Sequence, residues 1–196
     1  MTAPFPPDDI ERRSPLAHFI DADEILSRFY GQAWGPIYFD RGKQGRLNAP
    51  DGAYGVLYAA VARRGSFAET FLRRSGDTLI ARDFVAARAH VSLRVRAPLK
   101  LVKLFGNGLA RLGATAEVTH GGLPYAAPQQ WSAALHDHGG RFDGIAYTAR
   151  HNDSEICAAL FERAAAKIEE VSRETDLDQD WFYDLANHHG VAIALD

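Results

Sequence analysis

The stretch Gly45–Arg74, GRLNAPDGAYGVLYAAVARRGSFAETFLRR, constrains the fold of this chain most strongly. Its Pro50-Asp51-Gly52 segment is typical of a tight turn, since each residue suits a distinct turn position. Gly55–Val61 is an apolar run of strand length. Ser66 is a suitable helix start, and Phe67 and Phe71 would then share one helical face. The stretch therefore predicts a turn, a strand, a loop and a helix in that order.

Three polar residues within this stretch, Arg46, Tyr58 and Glu69, are candidates for a functional site. Each also has a structural explanation. Ser66-x-x-Glu69 has the spacing of a capping box, in which the glutamate bonds the backbone at the helix start, and spacing alone favours that role. Arg46 alone would be a solvated turn residue, and Tyr58 a core side chain with its hydroxyl satisfied.

Composition indicates an ordinary globular protein. The chain has 196 residues, 46% of them hydrophobic and 24% charged, which suits one domain. A net charge of -3 gives no general reason for nucleic-acid binding, and the single cysteine, Cys157, cannot form an intrachain disulfide. The N-terminus lacks a signal-peptide pattern, and no apolar run is long enough to cross a bilayer. We therefore expect a soluble, cytoplasmic protein without membrane contact.

Outside the central stretch, the patterns predict interspersed strands and helices. We expect an irregular arm over residues 1–14 and a single domain over residues 15–196, while Ile25–Tyr30 could be either a helix or a strand. The remaining predictions are helices over Arg82–Leu93, Pro128–His138, Glu162–Ser172 and Trp181–His188, and strands over Pro98–Phe105, Asp143–Arg150, Ile156–Phe161 and Val191–Leu195. This alternation indicates a mixed α/β or α+β domain.

Several familiar chemistries do not fit the sequence. His136-x-His138 and His188-His189 lack metal-ligand spacing, so we expect no metal site. Asp176, Asp178 and Asp180 alternate like calcium ligands, but Trp181 stands where that loop requires glycine. Gly106-Asn107-Gly108 is followed by Leu-Ala-Arg rather than by the third glycine of a dinucleotide fingerprint.

Several ordered blocks resemble the RES domain family over about residues 25–163. They are GPIYFDRGKQGRLNAPDGAYGVLYAA with FAETF, and later LARLGATAEVTHGGLPYAAPQQWSAALHDH with DGIAYTARHNDSEICAALFERA. The resemblance implies an α+β fold similar to ADP-ribosyltransferases, with a mixed, largely antiparallel sheet core and surrounding helices. It also implies a toxin that consumes NAD as its substrate and is neutralised by an Xre-type antitoxin protein.

The resemblance assigns roles to particular residues. Arg28 and Arg46 fall at the two family arginines, Tyr58 at the family tyrosine and Glu69 at the family glutamate. The implied catalytic set is Glu69, Tyr58 and Arg46, and the implied NAD-binding set is Arg28, Arg46, Tyr58 and Asn48. Glu69 would stabilise the positive charge that develops on the ribose, and a first-turn position would favour its ionised form. The arginines would bind the pyrophosphate.

One position departs from the family pattern. In Tyr147-Thr148-Ala149-Arg150-His151, alanine occupies the place of the family serine, and Thr148 would point to the opposite face of a strand. Either the serine is dispensable, Ser154 or another group compensates, or activity is altered. Three functions follow as hypotheses: cleavage of NAD by water or phosphate, transfer of ADP-ribose to a host protein, and a catalytically weak module that binds its antitoxin.

Overall fold

The predicted strand and helix of the central stretch both form, within a large sheet. A computed structural model describes residues 3–72, 76 and 78–194. Its strands are β1 (Ala17–Ile20), β2 (Ile25–Gly31), β3 (Val56–Ala60), β4 (Leu79–Ile80), β5 (Arg88–Val95), β6 (Leu99–Lys103), β7 (Gly144–Ala149), β8 (Asn152–Phe161), β9 (Ile168–Glu174) and β10 (Ala192–Ile193). Its α-helices are α1 (Arg63–Phe71), α2 (Arg82–Ala86), α3 (Asn107–Leu112), α4 (Glu117–His120), α5 (Ala126–Asp137) and α6 (Asp180–His188).

Within the described residues, eight strands form one sheet in the order β1-β6-β7-β8-β3-β2-β5-β9. Neighbouring strands are antiparallel except β6 and β7, which are parallel. The prediction of an α+β fold with a mixed, largely antiparallel sheet core is thus confirmed. Within the described residues, none of the helices is long and apolar enough to cross a membrane.

The sheet opens between β2 and β3. These strands pair at a single position, Ser27 opposite Ala60, whereas β2 pairs with β5 over its whole length, from Ile25 to Gly31. Because β2 and β3 separate beyond this pair, the residues that follow Ser27 in β2 and those that precede Ala60 in β3 border a gap in the middle of the sheet. This gap positions the site described below.

Helix α1 lies against the sheet beside this gap. Its Phe67 and Phe71 pack with Phe29 of β2 and Phe182 of α6, and Ala68 joins the adjacent core cluster. These contacts confirm the predicted i,i+4 face. A second core cluster, which includes Leu26, Val91 and Leu160, covers the opposite face of the sheet.

Several local predictions were wrong. Helix α1 begins at Arg63, with Ala62 at its N-cap, so Ser66 lies inside the helix. Of the predicted helix Arg82–Leu93, only α2 is helical, and most of the remainder is β5. The predicted helix Glu162–Ser172 is a 3-10 helix over Glu162–Lys167, and β9 follows it.

Other predictions fit the structure. The open choice at Ile25–Tyr30 resolves to strand β2, and the strands predicted near β6, β7 and β8 and the helices predicted near α5 and α6 all form. The C-terminal strand β10 pairs with β4 in a separate two-stranded sheet instead of closing the main one, and Leu195 lies outside the described residues. The boundaries of the arm and of the single domain stay predictions.

Candidate active site

A cleft of about 570 Å³ occupies the gap between β2 and β3. Its lining includes Arg28, Arg46, Tyr58 and Glu69, together with Tyr147 and Arg150. Four of the five predicted site residues therefore meet in one cavity, although they come from a strand, a loop, a second strand and a helix. The fifth, Asn48, is fully buried behind the lining.

Glu69 is held in the cleft by two hydrogen bonds. The Tyr147 hydroxyl donates to Oε2 at 3.1 Å, and the Arg150 backbone N–H donates to Oε1 at 2.9 Å. Burial, reinforced by the Glu69 charge, raises the pKa of Tyr147 well above its ordinary value, so its hydroxyl remains a donor at neutral pH. Both carboxylate oxygens are therefore oriented by fixed donors.

The capping role proposed for Glu69 is wrong. Glu69 lies in the last turn of α1, far from Ala62 at the N-cap. The helix dipole consequently does not favour its charge there, contrary to the first-turn argument. The Ser66 hydroxyl contacts the Ser27 hydroxyl and the Arg63 carbonyl, so it does not cap the helix either.

Arg46 is anchored by backbone carbonyls. Its Nη1 donates to the Thr119 carbonyl at 2.6 Å and its Nε to the Gly121 carbonyl at 3.3 Å. The guanidinium carbon lies 5.4 Å from the centre of the Tyr125 ring. The end of α4 therefore fixes this side chain against the cleft, rather than leaving it as a solvated turn residue.

Arg28 bridges the opening of the sheet. Its Nη1 donates to the Tyr58 carbonyl at 2.6 Å, across the gap where β2 and β3 no longer pair. Its buried Nε has no hydrogen-bond partner among the described residues. Burial lowers the pKa of Arg28 to about 10, and the nearby Asp40 charge partly offsets this, so the guanidinium is charged at neutral pH.

Tyr58 is fixed through the loop that carries Arg46. Its hydroxyl donates to Asn48 Oδ1 at 2.9 Å and accepts the Leu47 N–H at 2.8 Å. Burial raises the pKa of Tyr58 above its ordinary value, so the phenol stays protonated. A Cβ at Gly45 would collide with Asn48 Oδ1 and with the phenol oxygen, so this close approach requires glycine.

Asn48 holds Tyr58 in place through a hydrogen bond and does not line the cleft. Its Nδ2 donates to Asp40 Oδ2 at 2.9 Å and to the Gly42 carbonyl at 2.7 Å. With Tyr58 bound at its Oδ1, the side chain links the loop to β3 and has no contact with the cleft volume. The structure therefore places Asn48 behind Tyr58 and not beside a ligand.

The electrostatics of the cleft favour an anion. Within the described part of the chain, neither Arg28 nor Arg46 forms an ion pair, since both donate to neutral carbonyls. Their positive charges are consequently not neutralised by a bonded carboxylate. Across the described residues there is no group of three or more His, Cys, Asp or Glu side chains that could hold a metal ion.

Many lining residues were not predicted from the sequence, and three of them are Tyr147, Arg150 and His151. These three belong to the string that was compared with the family serine motif. Strand alternation would have placed Tyr147 on the same face as position 149, but nothing in the sequence shows that this face meets α1. Thr148 points elsewhere, as expected, and contacts His120 Nε2 at 3.3 Å.

Neither Ala149 nor Ser154, the named substitute for the missing serine, contacts Glu69. Ala149 itself is fully buried in the core beside Tyr147. Ser154 is exposed on β8, and it is not among the residues that line the cleft. The groups that contact Glu69 are instead the Tyr147 hydroxyl and the Arg150 N–H.

Comparisons with known proteins agree with this architecture. A family model described as RES domain matches residues 23–185, which is most of the chain. The fold is similar to that of a chain in the crystal structure of the M. tuberculosis MbcT–MbcA toxin–antitoxin complex, with a TM-score of 0.67 and 14% identity over 86% of this chain and 92% of that one. No curated protein matches the sequence.

Proposed function

Because this chain belongs to the RES domain family, we propose that it is an enzyme that cleaves the nicotinamide–ribose bond of NAD, as the cytoplasmic toxin of a toxin–antitoxin pair. One observation carries the proposal. The Glu69 carboxylate, oriented by two donors, lines the same cleft as two arginines that have no ion-pair partner among the described residues. A carboxylate next to cationic groups suits a substrate that combines ribose with pyrophosphate.

Glu69 would act on the ribose. Loss of nicotinamide leaves positive charge on the anomeric carbon and ring oxygen, and a carboxylate held in place stabilises that charge as it develops. Tyr147 and the Arg150 N–H would keep Glu69 in one orientation throughout, so little reorganisation is needed in the transition state.

The two arginines would bind the pyrophosphate. Each uses part of its guanidinium on a backbone carbonyl and retains further N–H groups for phosphate oxygens. The Tyr58 hydroxyl is already committed to Asn48 and Leu47, so we assign its ring, rather than its hydroxyl, to contact with the substrate. In this proposal Asn48 contributes by fixing Tyr58.

A protein that destroys NAD requires restraint in its own cell, so we also propose an antitoxin partner of the Xre type. The structural similarity to a member of a toxin–antitoxin complex supports such a partner. We propose no direct contact with nucleic acid or membrane.

The test is release of nicotinamide from NAD by the purified protein. We expect turnover, and we expect Glu69→Gln to reduce kcat by about 100-fold or more, since the neutral amide loses the charge that stabilises the transition state. Glu162→Gln is the matched control, because Glu162 is also a partly exposed glutamate that accepts a backbone N–H, from Gly55 at 3.2 Å. Equal rates for wild type and Glu69→Gln would refute the assignment.

The same assay identifies the acceptor. Turnover that requires inorganic phosphate indicates phosphorolysis, and turnover without it indicates hydrolysis. Transfer of label from NAD to a lysate protein, with little free product, would instead identify a protein ADP-ribosyltransferase that uses the same cleft. Tight antitoxin binding without any NAD turnover would instead support the hypothesis of a catalytically weak module that binds its antitoxin.

A further inference from the structure

A chain of hydrogen-bonded polar side chains, buried except for Glu174, runs from the outer strand β9 to the cleft. Glu174 Oε2 lies 2.9 Å from His90 Nδ1, and His90 Nε2 lies 2.9 Å from Ser27 Oγ. Ser27 Oγ in turn lies 2.7 Å from Ser66 Oγ, and Ser66 lines the cleft. His90, Ser27 and Ser66 are at most 5% exposed, which is unusual for three adjacent polar side chains.

The Ser27–His90–Glu174 arrangement has the connectivity of a hydrolase triad, but its position excludes that role. A nucleophilic serine must reach a substrate, whereas Ser27 is 4% exposed and is not a lining residue of the cleft. Its hydroxyl faces Ser66 on α1 instead. The hydrogen-bonded chain therefore ends on the helix that carries Glu69.

The number of hydrogens on these polar groups limits the directions that their hydrogen bonds can take. Four contacts connect Glu174, His90, Ser27, Ser66 and the Arg63 carbonyl. A neutral imidazole and two hydroxyls supply only three hydrogens for these contacts. Because a carboxylate can only accept, Nδ1 carries the imidazole proton, Nε2 accepts from Ser27, and Ser27 accepts from Ser66.

This arrangement places the Ser66 hydroxyl within hydrogen-bond distance of Ser27 on β2 as well as of its own helix. The Ser66 hydroxyl also donates to the Arg63 carbonyl within its own helix at 3.0 Å, so its single hydrogen is shared between that carbonyl and the Ser27 oxygen at 2.7 Å. Burial, with a smaller effect of the Arg63 charge, lowers the pKa of His90 to about 4, which is consistent with a neutral ring near pH 7. With His90 neutral, these hydrogen bonds connect α1 to strands β2, β5 and β9 of the sheet.

We infer that His90 is a positioning residue for Glu69, acting through Ser27 and Ser66 on helix α1. Ser66 and Glu69 are three residues apart and so lie on neighbouring positions of one helix face. Fixing Ser66 against β2 fixes the last turn of α1 and the carboxylate it presents to Tyr147 and Arg150. The expected effect of His90 on NAD turnover rests on the proposed function. The expected effect of His90 on the order of helix α1 does not.

Two substitutions of His90 distinguish the role of its Nε2 atom from that of its Nδ1 atom. Glutamine at position 90 reaches about as far as Nε2 and can accept from Ser27, whereas asparagine reaches only about as far as Nδ1. We expect His90→Asn and Ser27→Ala to lower kcat for NAD by about tenfold with KM nearly unchanged, and His90→Gln to stay within about threefold of wild type. Hydrogen exchange of the α1 amides should be faster in His90→Asn and Ser27→Ala than in His90→Gln.

His138→Asn is the matched control. His138 is another buried histidine, but it bonds the Arg13 carbonyl and the Gly140 N–H and is not among the cleft-lining residues. We expect this variant to keep both kcat and α1 exchange. Equal losses in His90→Gln and His90→Asn, or unchanged α1 exchange in His90→Asn, would overturn the inference. If wild type does not turn over NAD, the proposed function fails and α1 exchange alone decides the inference.

Discussion

At the scale of single residues, the notable feature is how Glu69 is oriented without the family serine. The Tyr147 hydroxyl and the Arg150 N–H occupy both carboxylate oxygens. Position 149 lies in the core beside this pair, and its alanine is fully buried. A hydroxyl is therefore not required there to hold the carboxylate.

This geometry predicts that Ala149→Ser changes kcat for NAD by no more than about threefold. The added hydroxyl enters a packed core and would cost about 1–3 kcal/mol if it finds no partner, so the melting temperature should fall. Steady-state nicotinamide release and thermal unfolding measure the two effects. Ala158→Ser, which adds a hydroxyl to an equally buried alanine in the core on the other face, corrects for the loss of stability. A tenfold or greater gain in kcat at position 149 alone would contradict this prediction.

The sequence identified some of these residues and not others, for a physical reason. Arg28, Arg46, Tyr58 and Glu69 were found through a resemblance, because their spacing alone favoured ordinary structural roles. Tyr147 approaches Glu69 only because β7 and α1 pack together, although they are far apart along the chain. Local pattern contains no information about such contacts.

At the scale of elements, helix α1 is placed by a close approach as well as by apolar packing. A Cβ at Gly65 would lie 3.0 Å from Ala60 Cβ and 3.1 Å from Glu155 Cβ. The helix therefore sits almost directly on β3 and β8. Glu69 is one turn further along the same helix, so a shift at Gly65 would move it.

We expect Gly65→Ala to displace α1 and to lower the free energy of unfolding by about 1–3 kcal/mol, since overpacking outweighs the better helix propensity of alanine. Turnover of NAD should fall as well, because Glu69 moves away from Tyr147 and Arg150. Urea unfolding and nicotinamide release provide the measurements. The control is Gly139→Ala, where a Cβ would meet nothing within 4 Å. A variant that is as stable and as active as this control would show that α1 has room at Gly65.

The wrong helix predictions share one cause. Glu162–Ser172 has good helix propensity, yet Ile168–Glu174 forms β9 because the edge of β5 offers pairing partners from His90 to Val95. Most of the segment after α2 is likewise drawn into β5 between β2 and β9. Ser66 was predicted to be a cap from its neighbours in sequence, but its partner Ser27 lies 39 residues away. Tertiary pairing overrode local preference in each case.

At the scale of the whole molecule, the eight strands of the described residues are joined by hydrogen bonds in a single sheet, which opens between β2 and β3. The fold class followed from alternating patterns and from the family resemblance. The opening did not, because it depends on how far β2 and β3 pair, which here is one position. The cleft and the polar chain both lie at this opening. The registers of β2 with β3 and β5 therefore determine where the cleft residues and the polar chain behind them are placed.

Because the polar chain is part of the core, it also couples stability to pH. The pKa of His90 falls from an ordinary 6.5 to about 4 in the folded protein, mainly through burial, with Arg63 lowering it further and Glu174 opposing the shift. Between these two values the unfolded chain binds more protons at this position than the folded one. Its contribution to stability is therefore complete above about pH 6.5 and declines as the pH falls towards 4.

We accordingly expect the free energy of unfolding to drop between pH 7 and pH 4.5, by up to about 3 kcal/mol from this residue. His90→Gln removes the titrating ring while keeping a partner for Ser27, so the stability of the variant should approach or overtake that of wild type as the pH falls. Urea unfolding at pH 7, 6, 5 and 4.5 and constant ionic strength measures both curves. Parallel curves for the two proteins would show that His90 does not carry this pH dependence, since every other titrating group is common to both.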